Sequence, residues 1–254
     1  LGCIPTFLWL RERGTARQVP AGESVVQRGL VRLRETWLEM RQFQDLRRLL
    51  ISIFFSMAGI AIIVSFAFIY GAQVIQWDDS VRTMMFVIVQ FNAAVGAIAF
   101  GILQSRLGSR FTYMLSQGLW VVAILAIWLT PEIAALAREQ LDVNWQAQYV
   151  FLFAGCLAGL SLGSAQSAGR ALVGLLTPAG KSAEFFGMWG TAAKLAAVFG
   201  MLGLGLLQTF FGLADAILFC LVLFAVSMWV VSSVDETRGR AAADQWCEPN
   251  EGKK

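Results

Sequence analysis

Six long runs of apolar residues alternate with short polar segments along most of the chain. A helix that crosses the roughly 30 Å hydrocarbon core of a membrane needs about 20 apolar residues, and each run supplies about that many. Strands of a membrane barrel would be about ten residues long and would alternate in polarity. The pattern therefore predicts an all-α membrane protein whose domain, 49–233, contains six transmembrane helices. The predicted helices cover about 49–75, 82–103, 111–130, 148–176, 185–208 and 211–233.

The segments at the two ends of the chain do not fit this pattern. Residues 1–10 are apolar but too few to cross a membrane, and arginines follow them rather than precede them as in a signal peptide. We interpret 1–10 as the end of a truncated transmembrane helix, so that the chain is a fragment of a longer protein. The tail 234–254 is polar, and we expect it to be disordered.

Residues 11–48 form a linker that is rich in arginine. From Val25 to about Arg48 the apolar residues recur at steps of three and four, which predicts a basic amphipathic helix. Two arrangements fit: the helix lies in the headgroup layer of an anionic leaflet, or it packs against the protein's own membrane domain. Binding of nucleic acid is a remote third reading, and we expect no such partner.

Basic residues are distributed unequally between the two sides of the predicted domain. One side carries only Arg82 and Arg138 in its loops. Cytoplasmic loops of multi-pass membrane proteins carry the excess of Lys and Arg, so we expect the linker and the tail to be cytoplasmic. The other side holds 16 of the 20 Lys and Arg residues, in 11–48, 104–110, 177–184 and 234–254.

Composition argues against several kinds of chemistry. The chain has no histidine, and its four cysteines show no paired spacing, so neither a metal site nor a disulfide framework is indicated. The segment 159–163 matches the G-x-S-x-G pattern of hydrolases, but it lies within a predicted helix rather than after a strand. The small residues Gly155, Gly159 and Gly163 instead predict close helix packing in lipid. We expect no enzymatic activity, no cofactor and no metal.

Two cations remain inside the predicted helices. Arg170 is near the side that carries most cations, where its side chain can extend to the interface, and Glu184 is its predicted gating or structural partner. Lys194 is about ten residues into its helix, near 15 Å deep at helical rise. A lysine at that depth usually faces a cavity or a partner. We therefore predict that Lys194 binds the carboxylate of a solute, with Asn92 and Gln166 as further cavity-lining residues.

Two stretches resemble a known family. The turn from Gly101 to Arg110 resembles the loop signature of the major facilitator superfamily (MFS), roughly G-x-L-x-D-R-x-G-R-R, with Arg106, Gly108 and Arg110 at matching positions. Ser105 stands where the signature has an aspartate. The sequence Gln166-Ser-Ala-Gly-Arg170, with 177–187 and Lys194, resembles the vacuole-effluxer-like branch of that superfamily, and this resemblance covers essentially the whole chain.

The resemblance implies one half of a twelve-helix transporter. The chain would be the C-terminal six-helix half, its partners a missing N-terminal half, the lipid bilayer and a small-molecule solute. It implies secondary transport of a small polar solute by alternating access, with amino acids as one class and the bacterial inner membrane as the location. A membrane scaffold or assembly protein that transports nothing is the alternative. Lys194 separates the two, because a structural lysine would leave flux intact when replaced.

Overall fold

A computed structural model describes residues 38–140 and 146–246, together with Gly29 and Val31. Within these residues the chain is helical and has no strand, so the predicted all-α class is confirmed. A π-helical turn, Gly71–Ile75, follows the first helix, and a 3₁₀ turn, Ala179–Lys181, precedes the sixth. The helices are α1 Gln44–Tyr70, α2 Asp79–Leu107, α3 Ser109–Trp128, α4 Thr130–Gln140, α5 Ala147–Leu176, α6 Ser182–Ala216, α7 Phe219–Ser232 and α8 Glu236–Asp244.

Backbone restrictions end the helices at definite residues. Gly108 has a φ of 84°, which only glycine adopts without strain, and it separates α2 from α3. Pro178 disfavours helical geometry at the residue before it, and Thr177 accordingly is extended and ends α5. Gly212, with a φ of 81° and a ψ of 171°, interrupts α6.

Five of the described helices are long and apolar enough to cross a membrane, and a sixth is added if α7 and α8, which are bent by 63°, are taken together. Helical geometry is broken at Gly212, whereas Ile217 and Leu218 are helical and lead directly into α7. The residues after Gly212 therefore belong to the last membrane crossing. The segment 213–232 is about 30 Å long at helical rise. The described part of the chain thus contains six segments of membrane-spanning length.

The helices pack as two groups of three. In the first group α5 lies between α2 and α3, and in the second α1 lies between α6 and α7. The groups meet where α1 contacts α5 and where α3 contacts α7. If α1, α2 and α3 are exchanged for α5, α6 and α7 in that order, this pattern of helix contacts is unchanged. The two triplets enter the membrane from opposite sides. This is the inverted repeat that transporter folds are built from.

Glycines allow the backbones of neighbouring helices to touch. A Cβ on Gly159 of α5 would lie 2.6 Å from the carbonyl oxygen of Val89 on α2. Gly96 on α2 faces the carbonyl of Leu160 in the same way, and a Cβ on Gly200 of α6 would lie 2.6 Å from the oxygen of Ala58 on α1. The close packing predicted from the small-residue stripe is therefore confirmed.

Polar side chains are buried between α1, α3 and α7. The hydroxyls of Ser52 and Ser227 are 2.9 Å apart, and each is within 2.9 Å of the other residue's carbonyl oxygen. Tyr113 faces these serines together with Ser56 and Gln117. Within the described part of the chain, the Tyr113 hydroxyl, Ser56 Oγ and both amide atoms of Gln117 lie in this cluster without a hydrogen bond of ordinary length and angle.

Two predictions about the ends of the domain need correction. The amphipathic helix predicted to reach Arg48 stops earlier, because residues 40–42 form a turn and α1 begins at Gln44. Met40 and Phe43 are buried, with Phe43 edge-to-face on Phe185 at 5.8 Å, so this part packs against the membrane domain. The rest of 11–37 lies outside the described residues, apart from Gly29 and Val31.

The predicted disorder of the tail is wrong for its first part. Residues 236–244 form α8, which is packed against the bundle. Asp235 caps α8 by accepting a hydrogen bond from the backbone N–H of Arg238 at 3.0 Å. Polar residues of α8 form an ion pair and a hydrogen bond with the bundle, and polarity alone does not distinguish such a helix from a disordered segment. Residues 247–254 lie outside the described part.

Candidate functional site

Helices α1 and α6 begin, and helices α2 and α5 terminate, on the same side of the bundle. We call this side the basic end, because it carries Arg48, Arg106, Arg110 and Lys181. Lys194 is twelve residues beyond the start of α6 at Ser182, about 18 Å from this end at helical rise. Its side chain is exposed, whereas Ala196, about 200° further around the helix, is buried. Within the described residues Lys194 forms no ion pair, so the structure presents a lone cation on an uncovered face of α6.

Asn92 and Gln166 lie at helix contacts rather than beside Lys194. The amide nitrogen of Asn92 donates to the carbonyl of Ile88 at 2.9 Å, and its Cβ would be 3.0 Å from a Cβ on Gly159. The amide nitrogen of Gln166 is 3.8 Å from the sulfur of Met57 on α1. Both residues are partly buried. In the described part of the chain no hydrogen bond or ion pair joins the three predicted cavity residues.

Arg170 and Glu184 each have a neighbour other than the one predicted. The guanidinium carbon of Arg170 is 5.2 Å from the ring centre of Trp189 on α6, a cation–π distance. Glu184 is 3.7 Å from the ammonium of Lys181. The Arg170–Trp189 contact joins α5 to α6 near the basic end. A direct Arg170–Glu184 pair stays a prediction.

The turn that resembles the superfamily signature, Gly101 to Arg110, contacts the last residue of α7 and the first residue of α8. Gly108 forms the turn, and the backbone N–H of Arg110 donates to the carboxylate of Glu236, while its guanidinium donates to the carbonyl of Ser232. Ser105, which stands in place of the signature aspartate, donates to its own helix at Ile102. Arg106 is exposed. The loop thus has a carboxylate beside it, but this carboxylate belongs to Glu236 of α8 and not to the residue at the position of the signature aspartate.

An ion pair whose carboxylate is buried and whose guanidinium is exposed fixes α8 to the beginning of α1. Arg238 donates to both carboxylate oxygens of Asp45, at 2.7 and 2.6 Å, and the backbone N–H of Asp235 donates to the same group at 3.0 Å. The side chain of Asp45 is only 4% exposed. Bidentate arginine–carboxylate pairs are among the strongest hydrogen-bonded contacts in proteins. The pKa of Asp235 itself is lowered, chiefly because the Arg238 N–H donates to it.

Lys181 connects the same end of the chain to the linker. Its ammonium pairs with Glu39 and lies 5.3 Å from the ring centre of Trp246, which follows α8. Together with the Asp45–Arg238 pair and the Arg110–Glu236 bond, this contact forms what we call the terminal clamp. The sequence analysis missed the clamp. The one local signal is Asp235, a helix-capping residue type placed before a charged segment.

One partly open cavity in the described part of the bundle is lined mainly by apolar side chains. It has a volume of about 140 Å³ and is lined by aromatic and aliphatic side chains, among them Trp77, Trp120 and Phe151, with Gln90 as its polar member. Lys194, Asn92 and Gln166 do not line it. Such a cavity offers no partner to a charged solute. Other polar residues, Lys194 among them, lie on helix faces that the described chain leaves uncovered.

Those uncovered faces belong mainly to α2 and α6. In their most apolar stretches only 6% and 17% of residues are buried, compared with 61% for α1 and 56% for α5. Exposed large apolar side chains follow both helices, for example Phe91 on α2 and Leu202 on α6. Both helices therefore present faces that the described chain leaves without a protein neighbour.

Comparison with known proteins assigns the fold a family. The family described as vacuole effluxer Atg22 like matches residues 2–244. The MFS-type transporter YxiO of Bacillus subtilis is 24% identical over 245 residues, which cover 95% of this chain and 52% of YxiO. Autophagy-related protein 22 of Saccharomyces cerevisiae is 25% identical over 218 residues, covering 85% and 40%. Autophagy-related protein 22-1 of Penicillium rubens is 24% identical over 252 residues, covering 94% and 42%.

The chain spans about half the length of these relatives or less. No solved structure matches it. The match over residues 2–244 covers nearly the whole chain, and its helices of membrane-spanning length agree with the description of YxiO as an MFS-type transporter. The chain therefore belongs to the vacuole effluxer Atg22-like family of MFS-type transporters.

Proposed function

We propose that the chain forms one six-helix half of a secondary transporter that moves a small polar solute by alternating access. The observation that carries this proposal is the lone, exposed Lys194 on a helix face that lacks cover, about 18 Å from the basic end. An unpaired lysine at such depth is unfavourable in lipid and is retained where a cavity or partner receives it. A companion half covering α2 and α6 would place Lys194 in a water-accessible path.

The ligand class follows from the charge. A cation in a low-dielectric cavity favours a solute with a carboxylate, and amino acids combine a carboxylate with small size. The family description as an effluxer supports outward movement from one compartment to another. We place the basic end in the cytoplasm, because Lys and Arg concentrate on that side, and the protein in a bacterial inner membrane.

The contacts at the basic end support a gate. Arg170 on α5 contacts Trp189 on α6, and Glu184 lies in the first turn of the same helix beside Lys181. If α5 and α6 slide past each other during transport, Arg170 can exchange its contact with Trp189 for Glu184. Arg106, Gly108 and Arg110 then hold the α2–α3 turn while the gate opens.

Flux measurements test the proposed role of Lys194. The protein expressed from its complete coding sequence is reconstituted in proteoliposomes, and efflux of radiolabelled amino acids is followed. We expect Lys194→Met to abolish most of the flux and Lys194→Arg to keep part of it, because arginine preserves the charge. Arg138→Gln, which removes a cation from the exposed helix α4, is the matched control and is expected to transport normally.

The same assay distinguishes the scaffold alternative. Normal flux in a correctly inserted Lys194→Met protein would show that Lys194 is structural and would reject the binding role. Absence of flux for every amino acid and other small polar solute in the unaltered protein, with correct insertion, would favour a scaffold that transports nothing.

A further inference from the structure

A groove opens between α1 and α6 near the basic end. Its volume is about 370 Å³. One wall is formed by Leu50, Ile51 and Phe54 on the first turns of α1, and the other by Met188 and Ala192 on α6. All five side chains are apolar, so the walls offer van der Waals contact and no hydrogen bond.

Two arginines lie at the mouth of the groove. Arg41 precedes α1 and Arg47 is in its first turn; both line the groove and both are exposed. Within residues 38–140 and 146–246 neither guanidinium pairs with a carboxylate. Neighbouring arginines have protein partners, since Arg48 donates to the backbone carbonyl of Ser233 at 2.8 Å and Arg238 binds the carboxylate of Asp45.

From the membrane surface inward, the residues that line the groove change from charged to apolar. Phe54 is seven residues beyond Arg47, which is about 10 Å deeper at helical rise. The lining residues beyond the two arginines are all apolar. A phospholipid has the same order, with its phosphate at the surface and its acyl chains below.

We propose that the groove binds an anionic phospholipid, with its phosphate between Arg41 and Arg47 and one acyl chain along the walls. Guanidinium groups recognise phosphate through paired hydrogen bonds, and an apolar groove of this kind holds a hydrocarbon chain. A net negative headgroup is favoured because a zwitterionic one would place its ammonium near two cations. The site does not depend on whether the protein transports a solute.

Thermal stability in defined lipid tests the site. The protein expressed from its complete coding sequence is delipidated in detergent, and its Tm is measured with phosphatidylglycerol, phosphatidylcholine or inorganic phosphate. We expect a rise in Tm with phosphatidylglycerol alone. The Arg41→Gln/Arg47→Gln double variant should lose more than half of that rise, and Arg240→Gln, which removes an exposed arginine of α8, should keep it.

A second variant examines the apolar part of the site. Ala192→Phe keeps both arginines but narrows the groove, and it should also lose most of the rise in Tm with phosphatidylglycerol. Correct folding of each variant is checked by its Tm in phosphatidylcholine and by size-exclusion chromatography. The proposal is overturned if the double variant keeps the full rise, if Arg240→Gln loses as much, or if inorganic phosphate alone reproduces the effect. It is also overturned if cross-linking shows another part of the protein in the groove.

Discussion

Charged residues at the basic end have well-defined partners, and these partners connect segments that are far apart in the chain. Asp45 and Arg238 are separated by 193 positions, yet the carboxylate is nearly buried and accepts two hydrogen bonds from the guanidinium. Arg238 remains more than half exposed, so solvent screening moderates the strength of the pair. The contact holds α8 against α1 at the point where the linker enters the domain.

Removal of this arginine should destabilise the basic end. We expect Arg238→Ala to lower the free energy of unfolding, because a largely buried carboxylate loses charge-assisted hydrogen bonds. Arg240→Ala on the same helix should change it by less than about 0.5 kcal/mol, since its pair with Asp244 is at 3.9 Å and exposed. Denaturant or thermal unfolding in detergent measures both. Equal effects of the two variants would contradict the assigned role of the Asp45–Arg238 pair.

The buried amide of Gln117 leads to a prediction of the opposite kind, a substitution that raises the stability of the protein. Gln117 is fully buried and faces Tyr113, but in the described part of the chain neither of its amide atoms forms a hydrogen bond of ordinary length and angle. An unsatisfied buried polar group costs about 1–3 kcal/mol. We expect Gln117→Met, which keeps the volume, to raise the Tm. The exposed Gln73 near the opposite end supplies a control, since Gln73→Met should have little effect. A lower Tm for Gln117→Met would mean that the amide has a partner, such as a bound water.

At the scale of the helices, glycine positions determine which pairs approach closely. Gly96 on α2 and Gly200 on α6 each face a backbone carbonyl of the adjacent central helix, and both occur well inside their helices. Gln90 lies six residues before Gly96, and Lys194 lies six residues before Gly200; both side chains are exposed. The inverted repeat therefore places these two polar side chains at corresponding positions on the two uncovered helices.

Substitution of an interface glycine should disrupt the packing of α2 on α5. A Cβ on Gly159 would lie 2.6 Å from the Val89 carbonyl, whereas a Cβ on Gly118 of α3 would meet nothing within 4 Å. We expect Gly159→Ala to destabilise the protein by about 1–3 kcal/mol through overpacking. Gly118→Ala should be neutral or stabilise it by up to about 1 kcal/mol, since alanine favours a helix. Comparison of Tm values decides, and similar values for the two variants would argue against a close α2–α5 contact.

For the whole molecule, the distribution of exposed apolar residues indicates where a companion half would pack. Leu202 on α6 is 65% exposed and Trp229 on α7 is 76% exposed. Lipid can cover both, but the uncovered faces of α2 and α6 also carry the candidate transport residue Lys194. We therefore assign the α6 face to protein and the α7 face to lipid.

Site-specific photo-cross-linking checks this assignment. A photoreactive amino acid at Leu202, in the protein expressed from its complete coding sequence, should cross-link to protein segments outside 38–246. The same amino acid at Trp229 should give lipid adducts only. Mass spectrometry identifies the products. Lipid adducts alone at Leu202 would show that the α6 face is not an interface between two halves.

Several features followed directly from the sequence. Apolar runs long enough for the bilayer determined the all-helical class, because backbone groups in lipid must satisfy their hydrogen bonds within the same segment. Gly155, Gly159 and Gly163 indicated close helix contact for a similarly local reason, and the motifs around Arg106 and Arg170 indicated the family. Helix α4 was not predicted, because its residues are too polar to resemble a membrane span.

The tertiary structure alone decided which side chains meet. The terminal clamp joins Asp45, Arg110 and Lys181 to residues that follow position 234, and no periodicity in the sequence encodes such distant pairings. In the same way the structure places Asn92 and Gln166 at helix contacts and Lys194 on an uncovered face. Hydropathy determines that a segment enters the membrane, because it sums over about 20 residues. The direction each side chain faces depends on helix rotation and packing, which only the folded bundle specifies.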